Sequence, residues 1–185
     1  MEKRKIEIMD TTLRDGEQTS GVSFAAEEKV SVVRLLIEEL NVDRVEIASA
    51  RVSEGEFASV QKIAQWANTH NHIDKIEIRG FVDGNASLDW ITSAGCKVVN
   101  LLCKGSEKHC THQLRKTVKE HLADIKSVIA EAKRRGMIVN IYLEDWSNGM
   151  RDSRKYVFEM IDELQHQPIT RYMLPDTLGS LNPAE

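Results

Sequence analysis

Short apolar runs alternate with amphipathic stretches along the whole sequence. Within those runs charged and aliphatic residues take turns, and no G-x-G-x-x-G turn follows the first of them. These three observations predict an α/β fold, a (β/α)8 barrel of which the 185 residues supply about the first six β/α units. Strands separated by helices run parallel. An open doubly wound sheet is covered on both faces, and its strands are apolar throughout. Here Arg44 and Glu46 interleave with Val45 and Ile47, and Glu77 and Arg79 with Ile76 and Ile78. Asn140, Tyr142 and Glu144 interleave with Val139, Ile141 and Leu143. One face meets helices, and the other suits a barrel lumen lined by mutually paired polar groups.

The elements follow in order. A strand over 5–10 leads to a helix near 25–40, whose Val33, Leu36, Ile37 and Leu40 share a face. Strand 44–49, helix 54–69, strand 75–82 and a short helix near 86–94 come next. Strand 97–102 precedes a long helix within 111–135, stopped by Gly136. Strand 138–144, helix 154–165 and strand 171–175 complete the series. No linker or low-complexity tract divides it, so residues 1–185 are expected to be the N-terminal portion of one catalytic barrel. A whole barrel takes about 250 residues, and the remaining strands and C-terminal regions are expected to lie outside this sequence.

Composition excludes several function classes. Hydrophobic residues at 41% and charged residues at 29% fit a globular domain with a core. A net charge of −4 argues against nucleic acid or an anionic membrane as partner. No apolar run approaches the roughly 20 residues of a membrane span, and the basic start MEKRKIEI lacks the apolar stretch of a signal peptide. Cys96, Cys103 and Cys110 form no disulfide pattern, which points to a reducing, cytoplasmic compartment.

In such barrels the chemistry sits at the C-terminal strand ends. The first strand end reads DTTLRDGEQTSG, with Asp10, Thr11, Arg14, Asp15, Glu17 and Gln18. Later ends add Ser49 and Arg51; Arg79 and Asp83; Asn100, Leu102 and Lys104; Tyr142, Glu144 and Asp145; and Asp176 and Thr177. Hard carboxylate oxygens suit a divalent cation, with an adjacent guanidinium to stabilise an oxyanion. Asp10 and Asp15 equally suit turn and cap positions, and spacing alone leaves both readings open.

DTTLRDGEQ resembles the signature of the metal-dependent acyl-CoA Claisen-condensing barrel family, which includes 2-isopropylmalate, (R)-citramalate and homocitrate synthases. VDRVEIASARVS, GFVDGN, NLLCKGS, IYLEDWSNG and LPDTLG extend the resemblance along the chain, closest to the citramalate/isopropylmalate branch. The resemblance implies an acyltransferase that condenses acetyl-CoA with a 2-keto acid, 2-ketoisovalerate or pyruvate. The product would be 2-isopropylmalate or (R)-citramalate, in leucine or isoleucine biosynthesis. It implies a divalent metal (Mg, Mn or Zn), acetyl-CoA as co-substrate and a homodimer. By motif it makes Asp15 a metal ligand and Arg14 the oxyanion stabiliser. Glu144 becomes the general base, and Thr177 the binder of the keto-acid carboxylate. Gln18, Leu102 and Tyr142 become substrate-pocket residues. Arg79 stands where citramalate-type members tend to be apolar. It either pairs with Glu46 or Glu77 in the lumen or faces the pocket and alters keto-acid preference.

The family's H-x-H metal ligands would fall beyond Glu185. The pair His70 and His72 sits at the end of a helix, on the opposite rim. Weak metal binding and no turnover are therefore expected of the 185 residues alone. Two alternatives stand beside the synthase: a noncatalytic half-barrel that associates through open strand edges, and a related metal-dependent acyl-CoA lyase. The Cys103, His109, Cys110 and His112 group matches no zinc module. Trp66 and Trp90 are expected in the core, EAKRRG at a solvated helix end, and Asp83-Gly84 in a turn.

Overall fold

The computed structural model describes residues 5–182; residues 1–4 of the basic start and 183–185 of the final stretch lie outside the described residues. The fold is α/β and of the barrel class predicted. The chain divides into two compact units. One holds the residues up to Arg79 with Asp89–Val98, and the other holds Gly80–Leu88 with the residues from Val99 on.

In the first unit strand order follows sequence order: β1 (Met9–Asp10), β2 (Arg44–Ser49) and β3 (Ile76–Phe81), whose last two residues belong to the second unit. The pairs are parallel, with Met9 opposite Arg44 and Val45 opposite Ile76. β1 is shorter than the expected 5–10 run. Ile6 and Ile8 are 83% and 62% exposed, so burial does not hold them in the ladder. Helix α1 (Ala26–Arg34) starts where the Glu28 carboxylate accepts the Ala25 N–H, and it widens into a π-helical turn over Leu35–Glu39. Helix α2 (Glu54–Thr69) is capped by the Ser53 hydroxyl, which accepts the Glu56 N–H. Its Val60, Ile63, Ala64 and Ala67 form a buried stripe at helical spacing. Helix α3 (Ala86–Ser93) begins in the second unit, where Asp83 accepts both the Ser87 N–H and its hydroxyl. That cap is the turn expected at Asp83-Gly84. Trp66 and Trp90 are half-buried rather than core. Trp90 meets Phe57 edge-on, and Trp66 stacks on His70 at the end of α2.

The second unit carries most of β4 (Val98–Lys104), with β5 (Ile138–Glu144) and β6 (Arg171–Met173), again in sequence order. β5 and β6 pair in parallel, with Tyr142 opposite Met173. Two helices appear that the sequence did not predict. Helix α4 (Glu107–His109) runs on as a π turn over Cys110–Leu114 and ends at Arg115, left-handed at φ 55°. That break separates it from α5 (Val118–Arg134), the long helix expected within 111–135. Helix α6 (Trp146–Asp152) is the second. Helix α7 (Arg154–Leu164) follows. In α5 the Thr117/Glu120 capping box fixes the start, and Leu122, Ile125, Val128, Ile129 and Ala132 face inward. Each larger member of that stripe contributes about 1.5–3 kcal/mol of burial. Glu131, at its end, holds both Arg134 and Arg135; Arg134 is solvated, as EAKRRG suggested, whereas Arg135 is mostly buried.

Candidate active site

Each unit carries part of the expected site. In the first, the chain leaves β1 through a tight turn in which the Thr11 carbonyl accepts the N–H groups of Arg14, Asp15 and Gly16 at 3.1, 2.7 and 3.2 Å. The Asp10 carboxylate accepts the Thr12 N–H and hydroxyl, so this acid serves the turn. Leu13 is 1% exposed and anchors the loop. With Leu13 inward, Arg14 projects back over the strand end. Its Nε donates to Glu46 and its Nη1 to Asp15. Glu46 is fully buried on β2, where a lone carboxylate would be costly. The guanidinium is thus held in a fixed fork. The Asp15 side chain remains 62% exposed. Beyond it, Lys29 is buried between Glu17 and Glu56 at 2.6 and 2.7 Å. Burial works against the Lys29 charge, and the two carboxylates outweigh it and raise the ammonium pKa. A pocket of about 350 Å³ opens here, lined by Arg14, Gln18, Ser49 and the apolar Leu13, Val22 and Val52.

Arg79 stands on β3 with Ser49 as its register neighbour, and its carbonyl accepts the Ala50 N–H at 2.8 Å. On the polar strand face Arg44 reaches Glu77 at 3.3 Å and Arg14 reaches Glu46. The polar strand face is therefore built from paired charges, as its alternation implied.

In the second unit Leu102, Tyr142 and Glu144 are half-buried, between fully buried neighbours. Glu144 is gripped by Lys104 at the end of β4. Both backbone groups of Lys104 are held by side chains: its N–H donates to His121 Nε2 at 3.1 Å, and its carbonyl accepts the Tyr156 hydroxyl at 2.9 Å. Burial pushes the His121 pKa down to about 4 and keeps the ring a neutral acceptor. Gly105 then passes against β5: an added Cβ would lie 2.6 Å from the Leu143 carbonyl oxygen. A Cβ on Gly149 would overlap the Gly105 carbonyl in turn.

Asp145 links Glu144 to Thr177. It is 3% exposed and left-handed at φ 64°. Its N–H donates to Thr177 Oγ1 at 2.9 Å, and its carboxylate accepts from Ser106 and Asn148, each at 2.7 Å. A hydroxyl oxygen that accepts a backbone N–H keeps its own proton free to donate, so Thr177 is poised toward an acceptor. Asp176 instead serves its own loop. Ser147 donates to it at 2.6 Å and, with the Leu181 N–H, holds its pKa down to about 2. Lys104 and Asp145 had no assigned role in the sequence reading, because their importance lies in partners 30 to 40 residues away.

The donor set was tested against a divalent metal. Asp15 offers an exposed hard oxygen, yet among the described residues no group of three or more His, Cys, Asp or Glu side chains is placed to hold an ion. The residues fit one ligand of a metal site rather than a whole one. All three cysteines are buried and free; burial pushes the Cys96 thiol up to about 12 and raises Cys103 further. Among the described residues no helix is long and apolar enough to cross a membrane.

Comparison with known proteins bears on the family and the fold. The chain is 33% identical to a 2-isopropylmalate synthase of Saccharolobus solfataricus over 99% of its length and 45% of that protein's. It is 32% identical to a protein named provisionally as an (R)-citramalate synthase in Methanopyrus kandleri, over 97% of this chain and 33% of the relative. It thus spans less than half the length of these relatives. The solved HMG-CoA lyase of Bacillus subtilis shares the fold, with a TM-score of 0.69 and 21% identity, covering 97% of this chain and 61% of that one. The HMGL-like profile matches residues 5–185, and the chain belongs to the HMGL-like family.

Proposed function

We propose that the protein containing these residues condenses acetyl-CoA with a 2-keto acid, pyruvate or 2-ketoisovalerate, to (R)-citramalate or 2-isopropylmalate in branched-chain amino-acid biosynthesis. The observation that carries this is Arg14, fixed between buried Glu46 and exposed Asp15 at the β1 end, in a chain similar to synthases of both products. A guanidinium already oriented by a buried carboxylate needs no reorganisation as negative charge develops on the keto oxygen. Asp15 would hold a divalent cation together with ligands outside the described residues. That cation, when bound, supplies Lewis-acid polarisation of the keto carbonyl.

Glu144 would take the methyl proton of the acetyl thioester, and the enolate carbon would bond to the keto carbon. Hydrolysis of the thioester would then release CoA. Lys104 has to yield the Glu144 carboxylate for that transfer, which makes the pair a switchable base. The Thr177 hydroxyl donates to the keto-acid carboxylate, while Leu102 and Tyr142 wall its side chain and Gln18 supports the acetyl end. The buried free thiols fit a reducing cytoplasm, and we take the protein as a homodimer.

The test is release of free CoA thiol by the full-length protein with Mg²⁺ or Mn²⁺ and each keto acid in turn. Keto-acid-dependent release is expected. Its absence with every keto acid, alongside cleavage of a 3-hydroxy-3-methylglutaryl thioester, would replace condensation by the lyase reaction.

A further inference from the structure

One side chain at the first unit's pocket has no place in the roles above. Ser49, the last residue of β2, is 8% exposed, and its hydroxyl has no hydrogen-bond partner among the described residues. The sequence alternation puts Ser49, three residues after Glu46, on the greasy face of the strand. The ladder says otherwise. Glu46 pairs with Glu77, but the register then shifts, so that Ala48 pairs with Ile78 and Ser49 with Arg79. Three residues of β2 thus span two of β3, a bulge. In-register neighbours share a sheet face, and Glu77 and Arg79 lie two residues apart on one face. The bulge therefore turns Ser49 onto the face of Glu46, into the pocket that Arg14 and Gln18 also line.

A buried hydroxyl left without a partner destabilises the fold that keeps it. Neighbours in this pocket explain what it could serve. Lys29 neutralises Glu17 and Glu56, so the pocket offers donors: the Gln18 amide, the Ser49 hydroxyl, that of exposed Ser23, and the Arg14 guanidinium on its Glu46 and Asp15 partners, beside a short apolar wall. That is a donor set for an oxygen acceptor on a small acid or acyl group.

We propose that Ser49 is a ligand-binding residue, turned into the pocket by the β2 bulge, whose hydroxyl donates to a carboxylate or carbonyl oxygen of a small keto acid or acyl thioester. The proposal deepens the reading of this site as that of an acyl-CoA condensing enzyme.

The experiment compares the full-length protein with Ser49→Ala and Ser49→Cys, the latter keeping the shape but donating weakly. Thermal midpoints are measured without ligand, and KM and kcat with pyruvate, 2-ketoisovalerate and acetyl-CoA varied separately. Ser49→Ala should raise the midpoint by about 2–4 °C, since the orphan group is gone. Both variants should raise KM about three- to tenfold for one of the two substrate types, with a smaller change in kcat. The affected substrate identifies the acceptor. A lower midpoint in Ser49→Ala would show that the hydroxyl serves the fold, and unchanged KM values would show that it meets no ligand; either result overturns the proposal. The thermal arm needs no turnover. A parent protein inactive with every keto acid would therefore count against the proposed reaction, while the midpoints still decide whether Ser49 is built for the fold.

Discussion

Arg14 has two tasks, and they separate by substitution. It neutralises fully buried Glu46, and it faces the mouth where Asp15 is exposed. Arg14→Lys keeps the charge and loses the fork. In the complete enzyme kcat should fall about 100- to 1000-fold, with a thermal midpoint close to the parent's, measured by steady-state kinetics beside a melt. Arg14→Gln removes the charge as well and should also destabilise by about 3–5 kcal/mol, because Glu46 loses its cation. His121 gives a pH prediction. Its folded pKa, about 4, lies below the ordinary histidine value of 6.5. The unfolded chain therefore takes up the proton first as pH falls. Stability is complete above about pH 6.5, declines toward pH 4 and levels off below, by roughly 3 kcal/mol in all. Urea unfolding from pH 7.5 to 4 should show this slope in the parent and a shallower one in His121→Gln, which has no ring to titrate.

Among the elements, β4 and its exit determine where Lys104 and Glu144 stand. The last strand residue has its N–H and carbonyl held by His121 of α5 and Tyr156 of α7, and Gly105 then presses on the β5 backbone. Gly105→Ala should be severely destabilising, about 3 kcal/mol or more, since backbone atoms rather than a movable side chain stand in the way. Gly136→Ala, at φ 70° with open space around it, should cost only about 1 kcal/mol. Denaturant midpoints of the two variants check the contrast. The same scale explains what the sequence could and could not reveal. Strands β2 and β5 and helix α2 were legible to the residue, because residues 44–47 and the whole of β5 alternate and α2 carries a helical stripe. The α4 and α6 helices were not. One ends in a left-handed arginine, and the other contains a glycine that close packing demands rather than a turn. Ser49 was collected at the strand end from the sequence, but the face it turns to was not legible, because a bulge leaves no mark in a pattern of period two.

For the whole molecule, local motifs exposed the pair Arg14 and Asp15, since adjacent residues on a glycine-bearing loop announce themselves. Asp145 stayed hidden because its value lies in tying Thr177 and Ser106 together across the chain. With Asp15 alone fitting a metal ligand, isothermal titration of Mn²⁺ into the 185-residue chain should give binding far weaker than in the full-length protein; equal affinity would mean that the described residues suffice. Keto-acid preference is tested by Arg79→Leu in the complete enzyme. A shift in relative kcat/KM among pyruvate, 2-ketoisovalerate and 2-ketoglutarate is expected, and unchanged ratios would assign Arg79 to lumen pairing.

The close approach of Gly149 to the Gly105 carbonyl, and of Gly105 to the β5 backbone, has a practical consequence for anyone reshaping this protein by mutagenesis. A methyl group on Gly149 would need the space of the Gly105 carbonyl, and one on Gly105 the space of the Leu143 and Glu144 carbonyls, so backbone stands in the way of enlarging either, and trimming a side chain cannot remove it. Libraries meant to retune Glu144, the proposed base, should leave both codons alone and draw their diversity from the side chains around them.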